Sequence, residues 1–269
     1  MKWTPIPVLL LLGACATTSS ERDPSPTGPM SSNVTLTEAE IRGNPIPAAR
    51  KLIDQPEAPG SLDHAVALLE RHLSGNPRSV EFLLLLVEAH SRALEPLDVK
   101  KSADLGAHEQ HRTRGRFRAQ EALRLAPGNG AAQYWLGCLL LYAADAERSY
   151  GRLKEALIHL ELAQKQAPST DLGGPARMLG RVYQETPGGL LLGSKPEAIK
   201  WYRKSLEVGP DSISSRLWLG ETYVASGQPA LARPELERAA ASKPRKGHEK
   251  EEGEYRKQAE ELIKKLPAR

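Results

Sequence analysis

Two arginines one helical turn apart, Arg177 and Arg181, carry the most specific chemistry that the sequence suggests. Two guanidinium groups on one helix face can bind a carboxylate through paired hydrogen bonds. In register with a helical repeat, five further side chains would share the same concave face: Glu81, Glu88, Tyr134, Tyr142 and Glu221. This surface is predicted to bind a partner protein or a ligand with an acidic group. The residues leave an alternative open, in which both arginines only pair with Glu221 or Glu185 across the groove.

The other residues that could do chemistry form no recognised catalytic or metal-binding pattern. His108 and His111 are three positions apart, one short of the spacing that directs two imidazoles of a helix at one zinc ion, so a solvated helix face is predicted. Cys138 lies in an apolar segment and is predicted to be a small core residue. Segment 188–195 is rich in glycine, but serine precedes lysine and no strand leads into it, which does not fit a phosphate-binding loop. We therefore expect no metal, no cofactor and no enzymatic activity.

Composition narrows the class of protein. The chain has 269 residues, 40% of them hydrophobic, which is enough for one continuous core. No segment alternates apolar and polar residues with period two, so the class is predicted to be all-α. Its 37 basic and 33 acidic residues give a net charge of only +4, and no aromatic residues interleave with basic ones. Nucleic acid is therefore not an expected partner.

A period of 34 residues near the C-terminus predicts the architecture that would position these residues. The repeated positions are Ala198, Tyr202, Ser205 and Pro210, then Ala232, Leu236, Ala239 and Pro244. Small residues at helix crossings and a proline after each unit are typical of tetratricopeptide (TPR) repeats. The same pattern, at longer intervals, predicts a TPR-like helical solenoid over 61–244, with inserted loops and about four helix-turn-helix units. Short helices over 35–60 would precede it, and a charged capping helix over 245–269 would follow.

The N-terminus is predicted to be an export signal with a lipid anchor. One lysine and a short apolar run precede Leu12-Gly13-Ala14-Cys15, which resembles the bacterial lipobox. We predict a signal peptide over 1–14, acyl chains on Cys15, and a disordered tether rich in proline and serine over 15–34. The alternative is an ordinary signal peptide that contains a cysteine. Ala16, where an aspartate would signal retention at the inner membrane, favours an outer-membrane lipoprotein that faces the periplasm.

Parts of the chain resemble the TatT-type lipoproteins, the T-components of tripartite ATP-independent periplasmic (TRAP) transport systems. The similar segments are 132–137, which contains Tyr134 and Trp135, then 173–180, and 188–194 with the helix start that follows. The resemblance implies cryptic TPR units, trimeric assembly, association with a solute-binding protein, and a hydrophobic or organic-acid ligand in an internal cavity. The last unit departs from that family because it is a regular TPR.

Two non-catalytic functions are predicted from these observations. The first is a membrane-anchored periplasmic scaffold that binds another envelope protein through its concave face. The alternative, implied by the resemblance, is an accessory lipoprotein that handles a small organic ligand for a TRAP-type uptake system, with an apolar cavity beneath residues 190–192. The regular last unit favours the first function.

Overall fold

The computed structural model describes residues 34, 36–37, 43–188 and 192–267. In this part of the chain all regular structure is helical, in eleven helices and no strands. They are α1 Pro45–Ile53, α2 Ser61–Leu73, α3 Val80–Ala93, α4 Ser102–Leu125, α5 Gly130–Glu147, α6 Tyr150–Gln166, α7 Gly174–Glu185, α8 Lys195–Val208, α9 Ile213–Ala225, α10 Pro229–Ala241 and α11 Glu249–Lys265.

Consecutive helices pack as pairs, and the pairs stack along the chain. The pairs α3–α4, α5–α6, α7–α8 and α9–α10 have extensive internal contacts, and each pair also contacts the next one. Such stacking of helix-turn-helix units is the construction of a helical solenoid. The predicted fold class, an all-α, TPR-like solenoid of about four units with a C-terminal capping helix, is confirmed.

Leu-Gly pairs recur at 136–137, 179–180 and 219–220, and their glycines lie where paired helices cross. A Cβ atom added to Gly220 of α9 would lie 2.5 Å from Cδ2 of Leu236 in α10, closer than any real contact of this kind. The two helices can approach this closely only because residue 220 has no side chain.

Helix starts are set by local capping side chains. Asn129 accepts a hydrogen bond from the backbone N–H of Ala132 (2.9 Å), and Ser194 accepts one from that of Glu197 (3.3 Å). Each cap satisfies a backbone donor that the helix itself cannot. A proline also lies in the first turn of α8, where it needs no backbone donor.

The two ends of the solenoid meet. The carboxylate of Glu57, in the loop after α1, accepts hydrogen bonds from the backbone N–H groups of Lys250 (2.9 Å) and Glu251 (2.7 Å). These residues form the first turn of α11, which also packs on α9 and α10. The capping helix therefore returns to the beginning of the domain, a closure that local sequence patterns did not predict.

Several predictions lie outside the described residues. They include the signal peptide, Cys15, most of the tether, and residues 189–191 of the glycine-rich segment. Among the helices that the structure does describe, none has the length and apolar character needed to cross a membrane.

Candidate functional site

A cavity of about 70 Å³ lies where the inner helices converge. Side chains from α3, α5, α7, α9 and α11 line it, together with the loops before α7 and α11. It has room for several water molecules or for one organic molecule of a few heavy atoms. Because nearly every repeat contributes to its wall, this cavity is the candidate site.

One side of the cavity is an ion cluster around Asp171, in the loop before α7. The carboxylate lies 3.4 Å from Nη2 of Arg92 and 3.5 Å from Nη1 of Arg245, and it also contacts Nη2 of Arg177. The Tyr134 hydroxyl donates a hydrogen bond to it (2.8 Å). Burial alone would raise the pKa of this carboxyl, but the three arginines and the tyrosine hold the pKa of Asp171 well below its usual range.

The backbone places Asp171 in this cluster. Asp171 and Leu172 both have left-handed φ angles, of 50° and 54°, and Nη1 of Arg177 donates to the carbonyl of Asp171 at 3.0 Å. Gly174 then begins α7 against the Tyr134 ring, where an added Cβ would lie 2.6 Å from the hydroxyl oxygen. The glycine segment that carries the family resemblance thus lets Tyr134 reach Asp171.

Two further carboxyls, Glu95 and Glu251, line another part of the wall, which we call the acidic side. Glu95 follows α3, and burial raises its pKa to about 8, with the negative charge of Glu251 adding to the shift. Glu251 accepts a hydrogen bond from the Tyr255 hydroxyl (2.7 Å) and lies 3.7 Å from Nδ1 of His248. Within the part of the chain that the structure describes, no hydrogen bond or ion pair holds the Glu95 carboxyl. This side of the cavity therefore has more acid than base.

Aromatic rings complete the wall. The Arg92 guanidinium lies over the Trp135 ring (5.1 Å), and the Arg181 guanidinium lies over the Trp218 ring (4.8 Å). Each of the two indole rings therefore already has a cation stacked on it. Tyr142 lines the cavity beside Glu95, and burial together with that carboxyl raises the pKa of Tyr142 well above its ordinary value. Its hydroxyl is accordingly a neutral hydrogen-bonding group.

The residues predicted for the concave face are divided among three environments. Tyr134, Tyr142 and Arg177 line the cavity. Glu88 is buried in α3, where it accepts hydrogen bonds from Arg92 and Arg50, and Glu81 is exposed in the first turn of the same helix. They do not form one open groove.

The alternative interpretation, in which the arginines only pair with Glu185 or Glu221, is correct for Arg181 and wrong for Arg177. Nη1 of Arg181 lies 3.0 Å from Glu185 and 3.5 Å from Glu221, as an internal pairing requires. Arg177 pairs instead with Asp171, a residue that sequence reasoning missed. The available signal was the position of Asp171, separated by one residue from the Gly173-Gly174-Pro175 start of α7.

The prediction of a solvated face around His108 and His111 is wrong. Both side chains are buried, because α4 packs between α3 and α5 along much of its 24 residues. Nδ1 of His111 lies 3.0 Å from Nδ1 of His90, and its Nε2 lies 3.3 Å from Asp63. In the described ranges, no three His, Cys, Asp or Glu side chains are grouped to hold a metal ion.

Cys138 is buried in α5 and contributes to the cavity wall. Burial raises the pKa of its thiol to about 12, so the thiolate is scarce at neutral pH. Its position and protonation agree with the predicted core role.

Several solved structures resemble the chain, and three of them illustrate the similarity. A crystal structure of MamA matches at 20% sequence identity over 67% of this chain and 87% of MamA, with a TM-score of 0.46. The MamA RS-1 ArsTM double mutant matches at 21% identity over 73% of this chain and 93% of that one, with a TM-score of 0.47. A monomeric IFIT1 mutant with Gppp-AAAA matches at 19% identity over 73% of this chain and 49% of IFIT1, with a TM-score of 0.40. No protein-family model and no curated protein matches the chain.

Proposed function

We propose that this chain is a non-catalytic, membrane-anchored lipoprotein of the bacterial envelope whose TPR-like domain holds a small organic molecule. The observation that carries the proposal is the cavity among the inner helices, one wall of which is α11, bonded at its start to the loop after α1. This is the ligand-handling function that the resemblance to TRAP-associated lipoproteins implies. The cavity differs from the expected one, because its described lining is polar and aromatic and does not include Leu192.

The state of the inner face argues against an open peptide-binding groove. Glu88, Tyr134 and Arg177 are all buried, and each is engaged by another side chain of the domain. A peptide would have to displace these tethered partners. A cavity of about 70 Å³ is also too small for a segment of polypeptide, whereas a molecule of a few heavy atoms fits.

A protein scaffold is the second candidate, and the outer surface favours it. Tyr150 and Ile158 of α6 are 38% and 60% exposed and, at a spacing of eight, lie near the same helix face. Helical solenoids generally bind proteins through their concave surface, so exposed apolar side chains on α6 would mark a different contact surface. On this view the partner docks on the outer helices, and the concave face does not bind it.

Native mass spectrometry of the full chain, purified from its own host in mild detergent, tests the proposal. We expect a discrete small-molecule mass on the protein, and the intact mass also reports acyl chains on Cys15. An apo protein that crosslinks to another envelope protein would favour the scaffold and overturn the ligand proposal.

A matched pair of variants locates the bound molecule. Ser214 lies on the cavity wall in the first turn of α9, and Ser102 is exposed in the first turn of α4. We expect Ser214→Phe to fill the cavity and remove the bound mass, and Ser102→Phe to retain it. Equal retention by both variants would place the ligand elsewhere and contradict the proposal.

A further inference from the structure

We propose that the cavity takes a small organic cation of the protonated-amine class, with the carboxyls of Glu95 and Glu251 as its counter-charges. The inference rests on the proposed function and specifies the ligand. It departs from the organic acid that the family resemblance implies.

The arginines of the cavity have little capacity left for an anionic ligand. Each is already paired with carboxylates of the domain: Arg177 with Asp171, Arg92 with Asp171 and Glu88, and Arg245 with Asp171 and Glu252. An organic acid would have to compete with carboxylates that the fold holds in contact with these groups. Such tethered partners are favoured because they lose little entropy on pairing.

Within the described residues, no arginine or lysine forms an ion pair with the carboxyls of the acidic side. Glu95 has no ion pair with a described residue. Arg92 is the cation that most lowers the pKa of Glu95, but its guanidinium is already paired with Glu88 and Asp171. Glu251 has the Tyr255 hydroxyl and, at 3.7 Å, the His248 imidazole. Although burial opposes it, hydrogen bonds from His248 and Tyr255 lower the pKa of Glu251, so that carboxyl stays ionised. An ionised Glu95 has no described cation paired with it, and a bound ammonium group would relieve the cost of its charge.

The surrounding groups suit an ammonium ligand. The ring of Tyr142 stands beside Glu95, and that of Tyr255 stands beside Glu251. Phenol rings and their hydroxyl oxygens both favour a nearby cation. Trp135 and Trp218 are not counted here, because Arg92 and Arg181 already cover their faces.

Binding should strengthen as pH rises. Burial keeps the proton on Glu95 until about pH 8, so an ammonium ligand must bind the minor, ionised form below that value. The apparent affinity should then increase roughly tenfold per pH unit from pH 6 to pH 8. The groups that surround Glu95 in the cavity are Arg92, Asp171, Cys138, Tyr142, Glu251 and Tyr255.

Calorimetric titration of the full chain in mild detergent tests the inference. The probes are ethylammonium chloride and sodium propionate, which have similar size and opposite charge, with sodium chloride as the salt control. We expect saturable ethylammonium binding at pH 8 and no propionate binding. Glu95→Gln should weaken ethylammonium binding at least tenfold, whereas Glu81→Gln, an equal charge change at an exposed site of α3, should not.

The outcomes separate the ligand class from the proposed function. Preference for propionate, or equal binding of both ions, would overturn the cation and leave a ligand-binding domain. Unchanged ethylammonium binding by Glu95→Gln would overturn the assigned counter-charge. If neither ion binds, the proposal of a cationic ligand is overturned. If native mass spectrometry also shows the protein without a bound molecule, the proposed function is overturned too.

Discussion

The ion cluster and the acidic side of the cavity show what decides the protonation state of a carboxyl at similar depth. Asp171 and Glu95 are both of intermediate exposure, and both face the same space. Three arginines and Tyr134 surround Asp171, so its pKa is depressed, whereas burial without an ion pair raises the pKa of Glu95 to about 8. Asp171 is accordingly part of the framework, and Glu95 is a group that a ligand can engage.

Asp171→Asn should give the largest effect. It removes the negative charge at the centre of three buried or partly buried guanidinium groups, and breaking such a cluster on one side costs about 3–5 kcal/mol. We expect chemical denaturation to show a loss of this size in the free energy of unfolding. Asp211→Asn, at an exposed position, is the control and should change it little. A loss below ~1 kcal/mol for Asp171→Asn would mean that the arginines do not depend on this carboxylate.

Glu95→Gln should have the opposite sign and a smaller size. Because the folded-state pKa of Glu95 is raised to about 8, the folded chain holds a proton that the unfolded chain has lost. The stability of the wild type should therefore fall as pH rises from the ordinary carboxyl range to about 8. The variant lacks this loss, so we expect it to be nearly equal in stability at pH 5 and more stable by at least ~1 kcal/mol at pH 8.5, because each unit of raised pKa is worth about 1.4 kcal/mol.

Thermal unfolding of both proteins between pH 5 and pH 9 measures this difference. Other titrating groups, including the buried His90, are common to the two proteins and cancel in the comparison. Parallel profiles would show that Glu95 titrates normally, and the contrast with Asp171 would then fail.

Much of the fold was predictable because its signals are local. The Leu-Gly pairs mark helix crossings that depend on one missing side chain, as at Gly220. Caps such as Ser194 satisfy donors within one turn, so their positions follow from a few adjacent residues. A repeat built from contacts between neighbouring helices preserves these local rules along its length.

The site was only partly predictable because it depends on distant contacts. Tyr134, Tyr142 and Arg177 were expected on the inner face and do line the cavity, since their helices repeat in register. Asp171 comes from a loop, and Glu251 from a helix that reaches the cavity only because the two ends of the domain meet.

Polarity also misled the prediction for α4. Its histidines and arginines suggested solvent, but the helix is covered on two sides and several of these side chains pair inside the domain: His111 with His90 and Asp63, and Arg112 with Glu147. A polar sequence does not by itself predict an exposed helix, because long cationic side chains can lie along neighbouring helices and reach a partner inside the domain.

Glu57→Gln should give the smallest effect, and it tests how the acidic side is assembled. The Glu57 carboxylate accepts two backbone hydrogen bonds at the start of α11, where the helix dipole also favours a negative charge. Glutamine keeps one acceptor oxygen and loses the charge, so we expect a loss of about 0.3–1 kcal/mol. Hydrogen exchange should accelerate in the first turns of α11 and remain unchanged in α5, because Arg92 and Arg177 hold Asp171 beside Tyr134 without contacts from α11. Glu254→Gln, exposed on the same helix, is the matched control. Equal acceleration in α5 would mean that the two sides of the cavity open as one unit, and their contrast would then be one of charge alone.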